Sequence, residues 1–186
     1  PSTQDVSEVL VRRDGISPGM AEFAARVSQG HIGRARHLAN DESIRSRRNT
    51  IMNLPFTLTS LSASFAAAAT LVELATQEAN AQSDARSEKE SHDLGQAWGQ
   101  GATGRGMATG GARALKELEK EQKSRATRMV RDSLDGALLD LATLYRDVMM
   151  VQSISTATTL PLLTMELGAK IVVMAQKSKP GWILEK

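Results

Sequence analysis

An all-α fold is expected from three observations. Apolar residues recur every three or four positions through most of the chain, and no alternating segment of strand length interrupts them. Aromatic residues make up only 3% while alanine, leucine and methionine abound, a composition suited to helices packed through small and aliphatic side chains. Serine, aspartate, proline and glycine fall where helices start and stop. Two lobes are expected: three short helices to about Asn40, and from Asp41 to Lys186 a bundle led by two long antiparallel helices.

Ser2 or Thr3 caps a first helix to about Arg13, with Val6, Val9 and Leu10 on one side, and Asp14-Gly15 ends it. Ser17-Pro18 starts a second helix that buries Met20, Phe23, Ala24 and Val27 and stops at Gly30. A third begins near Gly33 and carries Arg34 and Arg36. Gly30 suits the left-handed backbone that ends a helix. The bare N–H groups beyond it, with the two arginines, would suit a phosphate or carboxylate. Three helices this short are expected to have little core of their own.

Asp41 caps a fourth helix with Ile44 and Ile51 and the run Arg45-Ser46-Arg47-Arg48, expected to be a solvated side. Asn53-Leu54-Pro55 breaks it. From Thr57 to about Ala97 one long helix is expected, with a narrow stripe of Leu58, Leu61, Phe65, Ala68, Val72, Ala75 and Ala79. Its polar distal half, Gln82 to His92, is expected to be exposed or frayed. Gly99 to Gly111 lacks the G-x-x-x-x-G-K-[ST] spacing of a phosphate loop and reads as a flexible connector.

The second long helix runs from Ala112 to about Val151. Its apolar face, including Met129, Leu134, Leu138, Leu141, Leu144, Tyr145 and Val148, widens toward the C-terminal half. Glu119–Lys123 and Glu121–Arg125 are i, i+4 pairs, and Arg125, Arg128 and Arg131 are expected to be neutralised locally. Ser153 to Thr159 is a polar linker. Leu160 to Met174 resumes helical spacing, Lys179-Pro180-Gly181 breaks it, and Trp182-Ile183-Leu184 opens another helix.

Composition limits the function classes. The 186 residues are 41% apolar and 24% charged, and the longest apolar runs are too short for a bilayer. There is no cysteine, and His31, His37 and His92 lack metal-ligand spacing, so neither a metal nor another cofactor is expected. The net charge of +2 predicts no large footprint on nucleic acid. No nucleophile–base pair or acidic cluster can be drawn. No apolar leader opens the chain; it begins at Pro1 and ends within an apparent helix, so a piece of a longer cytoplasmic protein is expected.

Three segments carry a resemblance. Asp5 to Gly15 (DVSEVLVRRDG), Ala24 to Arg36 (AARVSQGHIGRAR) and Ala114 to Arg128 (ALKELEKEQKSRATR), the last followed by Asp140-Leu141-Ala142 and Tyr145-Arg146-Asp147-Val148, order themselves along the chain. This order resembles the C-terminal part of delta-prime subunits of the bacterial DNA polymerase III clamp loader, of the high-GC Gram-positive type. The resemblance implies an AAA+ lid over residues 1–40 and a collar, or oligomerisation, domain over 41–186 that is truncated at its C-terminus. It implies a non-catalytic stator that assembles with the tau/gamma and delta subunits and, through them, serves the sliding clamp and primed DNA in replication. The parent is then a subunit of a DNA-directed DNA polymerase holoenzyme, a transferase complex, with no active site in this part.

In this resemblance the sensor 2 position falls on Gly33, which carries no charge, so Gly33, Arg34 and Arg36 make a vestigial sensor region. Leu58, Leu61, Phe65, Val72, Leu134, Leu138, Leu141 and Tyr145 are the interface candidates, since these faces offer more apolar surface than two helices need for each other. Without the resemblance, the same pattern would suit an all-helical adaptor or a ligand-responsive regulator acting through protein–protein contacts.

Overall fold

The computed structural model describes residues 1–98, 110–153 and 162–178. Among the described residues the fold is all-α, without strands. Its helices are α1 (Thr3–Asp14), α2 (Pro18–Val27), α3 (Ile32–Asn40), α4 (Glu42–Asn53), α5 (Leu61–Ala97), α6 (Gly111–Ser153) and α7 (Gly168–Lys177), with 3₁₀ turns at Leu54–Thr57 and Met165–Leu167. They form two compact units, Pro1–Ala67 with Ala137–Lys186, and Ala68–Gly136.

In the first unit, local chemistry sets the helix ends. Ser2 Oγ accepts from the Asp5 N–H at 3.1 Å while the Asp5 carboxylate accepts from the Ser2 N–H at 2.9 Å, a reciprocal capping box. Those hydrogen bonds, the backbone one foremost, hold the Asp5 carboxyl below its ordinary range. Gly15 closes α1 at φ 67°, and Ser17 precedes Pro18 at the start of α2. Asp41 accepts from the Ser43 N–H and hydroxyl at the start of α4.

The second helix stops at Val27, earlier than its spacing predicts, because Gln29 (φ 52°) and Gly30 (φ 86°) are both left-handed. Met20 and Phe23 are half-buried. The core beneath α1, α2 and α3 is instead Val6, Leu10, Ala21, Ala24, Ala25, Val27, Ala35 and Leu38, so the three short helices do enclose a core. Small alanines let the backbones approach closely where larger side chains were expected.

A separate cluster joins Met52 of α4 with Leu144 and Val148 of α6 and Leu167, Ile171 and Ala175. Each large aliphatic side chain fully buried there contributes roughly 1.5–3 kcal/mol. α7 starts at Gly168, and the non-helical conformation of Thr164 before it is accounted for by Asp147. Its fully buried carboxylate accepts from both the N–H (2.8 Å) and the hydroxyl (2.7 Å) of Thr164. Thr164 is thereby held outside helical geometry, and the 3₁₀ turn follows.

The other unit is an antiparallel hairpin of α5 and α6. Glu78 accepts from Ser133 at 2.7 Å, Ser87 O from Gln122 at 3.0 Å, and Glu90 from Arg125 at 2.5 Å. Glu78 pairs near the far end of this stretch of α6, while Ser87 and Glu90, further along α5, pair earlier on α6, so the two helices run antiparallel. The polar half of α5 is exposed at Asp84, Arg86, Glu88, Lys89 and His92, as expected, and it stays helical to Ala97, with Ser87 and Glu90 bonded to α6. Buried Ala75, Ala79 and Ser83 face the seam. Gly110, at φ 101°, lies beside the Trp98 ring, and a Cβ there would sit 3.6 Å from it. Arg125 turns to Glu90 on the other helix in place of the expected local partner.

Four expectations fall wholly or partly outside the described residues: the connector from 99 to 109, the linker from 154 to 159, the start at 160, and the break and further helix from 179 to 186. No helix among the described residues is long and apolar enough to cross a membrane.

Candidate functional site

The turn from α2 to α3 positions the site. Left-handed Gln29 sends its side-chain amide to the Thr143 hydroxyl of α6 at 2.7 Å, and Thr143 in turn donates to Leu139 O at 2.8 Å. A non-glycine residue in this region is costly, and here a buried partner on α6 fixes it. The next residue that could be left bare is also occupied. His31 Nδ1 accepts from the Arg34 N–H at 3.3 Å and caps α3. One N–H of the α3 N-terminus, that of Arg34, is thus capped by a side chain rather than left bare for an anion.

Beyond the cap, Arg34 Nη2 meets Asp140 Oδ2 at 2.5 Å. Asp140 also accepts from Arg48 Nε at 3.2 Å, and Arg48 Nη1 reaches Glu166 at 2.8 Å. Arg26 completes the chain at 3.5 Å from Glu166. The Arg26 and Arg48 guanidinium carbons each lie 5.9 Å from the Phe23 ring centroid, within cation–π range. Arg48 and Asp140 are both only 7% exposed. Three arginines and two carboxylates therefore bind α2, α3, α4, α6 and the Met165–Leu167 turn together.

This arrangement corrects the reading of Arg45 to Arg48 as a solvated side. Arg48 is buried in the network, and Arg45 donates to the Leu38 and Ala39 carbonyls at 2.7 and 3.1 Å, closing the end of α3. Arg36 pairs with Asp14 at 2.6 Å. Gly33 is half-buried in the first turn of α3, and a Cβ there would make only ordinary contact, 3.6 Å, with the His31 ring. Of the three residues of the sensor region, Arg34 alone joins the network.

Chemically, the network joins these elements through paired charges. Each carboxylate is engaged by guanidinium groups, which neither accept nor release protons at neutral pH. Among the described residues no group of three or more acidic or histidine side chains could hold a metal ion. A groove of about 560 Å³ between α1 and α2 is lined by Ser7, Glu8, Val11, Arg12 and Glu22 among others.

The interface candidates divide. Leu61 (74%) and Phe65 (69%) are among the most exposed apolar side chains, and Leu58, Val72 and Leu138 are exposed as well. The stripe expected along α5 is buried only at Ala75 and Ala79, and Leu58 precedes the helix, which starts at Leu61. Leu134, Leu141 and Tyr145 are half-buried, and burial raises the Tyr145 phenol above its ordinary pKa. Sequence reasoning missed Arg26, Gln29, Asp140, Thr143 and Glu166 as site residues. One signal was available: Asp140 and Asp147 sit seven residues apart on the same helical face as Leu144 and Val148, where a carboxylate requires a partner. Comparison with protein-family models, with curated proteins and with solved structures finds no match for this chain.

Proposed function

We propose that this chain is the lid and collar part of a delta-prime-like clamp-loader subunit, acting as a cytoplasmic, non-catalytic stator in DNA replication. In this reading residues 1–40 form the lid and residues 41–186 the collar. Its partners are the tau/gamma and delta subunits, and the sliding clamp and primed DNA are reached through them. The observation that carries the reading is Arg34. Next to uncharged Gly33, its side chain is bonded to Asp140 within its own fold, while His31 caps its backbone N–H. A region that in an ATP-reading subunit would face a γ-phosphate here binds two parts of one chain together.

The exposed apolar side chains Leu61, Phe65 and Leu138 support a role through protein contacts. The test is reconstitution of the full-length protein with tau/gamma and delta subunits, followed by co-purification. The expected result is a stable complex that deletion of residues 41–186 abolishes. Assembly at undiminished affinity without those residues would sink the reading. Calorimetric titration with ATP and Mg²⁺ is expected to give no micromolar binding to this part of the protein. An adaptor or ligand-responsive regulator would share the exposed apolar surface but would not assemble with those subunits.

A further inference from the structure

On the outer side of α6 in the hairpin unit five cations fall in one line, flanked by carboxylates. Arg113, Lys116, Lys120, Lys123 and Arg131 are all exposed. At about 100° per residue they fall within about 80° of arc, and they extend over about 27 Å of helix. Glu117, Glu119, Glu121, Asp132 and Asp135 project outside that arc. Gln122, Arg125 and Ser133, the side chains that bond to α5, leave from the opposite side. Lys120 lies 3.6 Å from Glu117, both strongly exposed, while the other four cations have no carboxylate in ion-pair range among the described residues. The small net charge of the whole chain conceals this line, because α5 carries much of the compensating acid in Glu73, Glu78, Asp84, Glu88, Glu90 and Asp93.

We infer that this basic line on α6 docks on the phosphate backbone of double-stranded nucleic acid without reading its sequence. A helix with cations along one line matches a stiff, uniformly charged rod. The line carries no aromatic side chain on which unpaired bases could stack, which argues against a single strand. Its residues between the cations are polar, Ser124 and Thr127 among them. The apolar side that a membrane-surface helix would insert is the side already turned to α5. Charges of lysine and arginine give affinity and no base discrimination, so binding is electrostatic and independent of sequence. This inference does not depend on the clamp-loader reading.

The experiment uses the full-length protein and two fluorescently labelled 30-base-pair duplexes of unrelated sequence, with anisotropy read between 50 and 200 mM salt. Five phosphate contacts give a slope of up to about −4.5 in log K against log salt, or a loss of about 500-fold across that range. Lys116→Gln, Lys120→Gln and Lys123→Gln together are expected to bring the slope to about −1.8 and weaken binding at 50 mM at least tenfold. The control Arg12→Gln, Arg13→Gln and Lys89→Gln removes equal charge elsewhere and is expected to leave slope and affinity unchanged. All six side chains are exposed, and circular dichroism verifies that both variants remain folded. Equal losses in the two variants, no binding of either duplex at 50 mM, or strong preference for one sequence would each overturn the inference. So would a salt-labile dimer, seen by sedimentation, that consumes the same lysines against exposed carboxylates of a second copy.

Discussion

Arg34 and Asp140, 106 residues apart in the chain, meet at 2.5 Å, and Asp140 holds Arg48 with its other oxygen. One carboxylate thus joins α3 and α4 to α6. Burial makes that joint sensitive to the loss of either sign of charge. Removing one partner of a buried pair leaves the other desolvated and unpaired, at a cost of about 3–5 kcal/mol. Asp140→Asn is expected to destabilise the protein by that order, as read by urea unfolding monitored by circular dichroism. Replacing both members, Arg48→Met with Asp140→Leu, is expected to cost less than Asp140→Asn alone, since no buried charge on this pair is then stranded. A double variant less stable than the single one would mean that the pair contributes net attraction beyond its desolvation.

The left-handed turn before α3 makes a second expectation. Gly30 sits at φ 86°, and a Cβ there would fall 2.7 Å from the Pro1 carbonyl oxygen. Gly30→Ala is expected to lower stability by about 1–2 kcal/mol from the backbone conformation alone. Gly33→Ala, in a helical turn with only ordinary contacts, is expected to be neutral or slightly stabilising. Thermal unfolding of the two variants side by side checks both. Equal losses would show that Gly33 has a role its geometry does not explain.

How much of this could be read beforehand differs between ends and joints. Helix ends are local: Ser2 with Asp5, Gly15, Ser17-Pro18 and Asp41 act within three or four residues, so the pattern locates them. The network is not local. Arg48 reaches partners 92 and 118 residues away, and i, i+4 logic offers only neighbours on the same helix. Arg125 makes the same point, because Glu121 is one turn away yet the bond goes to Glu90. Apolar periodicity marked a stripe from Leu58 along α5, which is buried at Ala75 and Ala79 and exposed at Leu58, Leu61, Phe65 and Val72. Spacing defines a face; it does not say whether another helix covers that face.

Glu90 provides a pH expectation for the hairpin. Hydrogen bonds from Arg125 first, then Arg86, hold its carboxyl down at about 2, against an ordinary value of 4.5. A carboxyl with a depressed folded pKa stabilises the fold above its unfolded pKa, and that contribution is lost as pH falls toward the folded value. The hairpin is therefore expected to weaken between about pH 4.5 and pH 2. Glu90→Gln is expected to flatten this part of the stability–pH curve relative to wild type. Carbon-detected NMR titration of the Glu90 carboxyl checks the midpoint directly, and a midpoint near 4.5 would contradict the paired geometry.

The exposed and buried leucines of α6 separate assembly from folding. Leu138 is 53% exposed, whereas Leu144, six residues on, is fully buried against Met52 and Ile171 in the second core. An aspartate at Leu138 meets water and has little reason to unfold the chain, with an expected change within about 0.5 kcal/mol. An aspartate at Leu144 places an unpaired charge in a packed core and is expected to abolish folding. If Leu138 contributes to a protein interface, Leu138→Asp in the full-length protein loses co-assembly with tau/gamma and delta subunits while its circular dichroism and unfolding midpoint stay at wild-type values. Leu61→Asp and Phe65→Asp on α5 extend the test, being more exposed still. Folding loss must accompany assembly loss in Leu144→Asp and be absent from the other three. Full co-assembly by all three exposed-site variants would remove the apolar surface of α5 and α6 from any account of how this protein finds its partners.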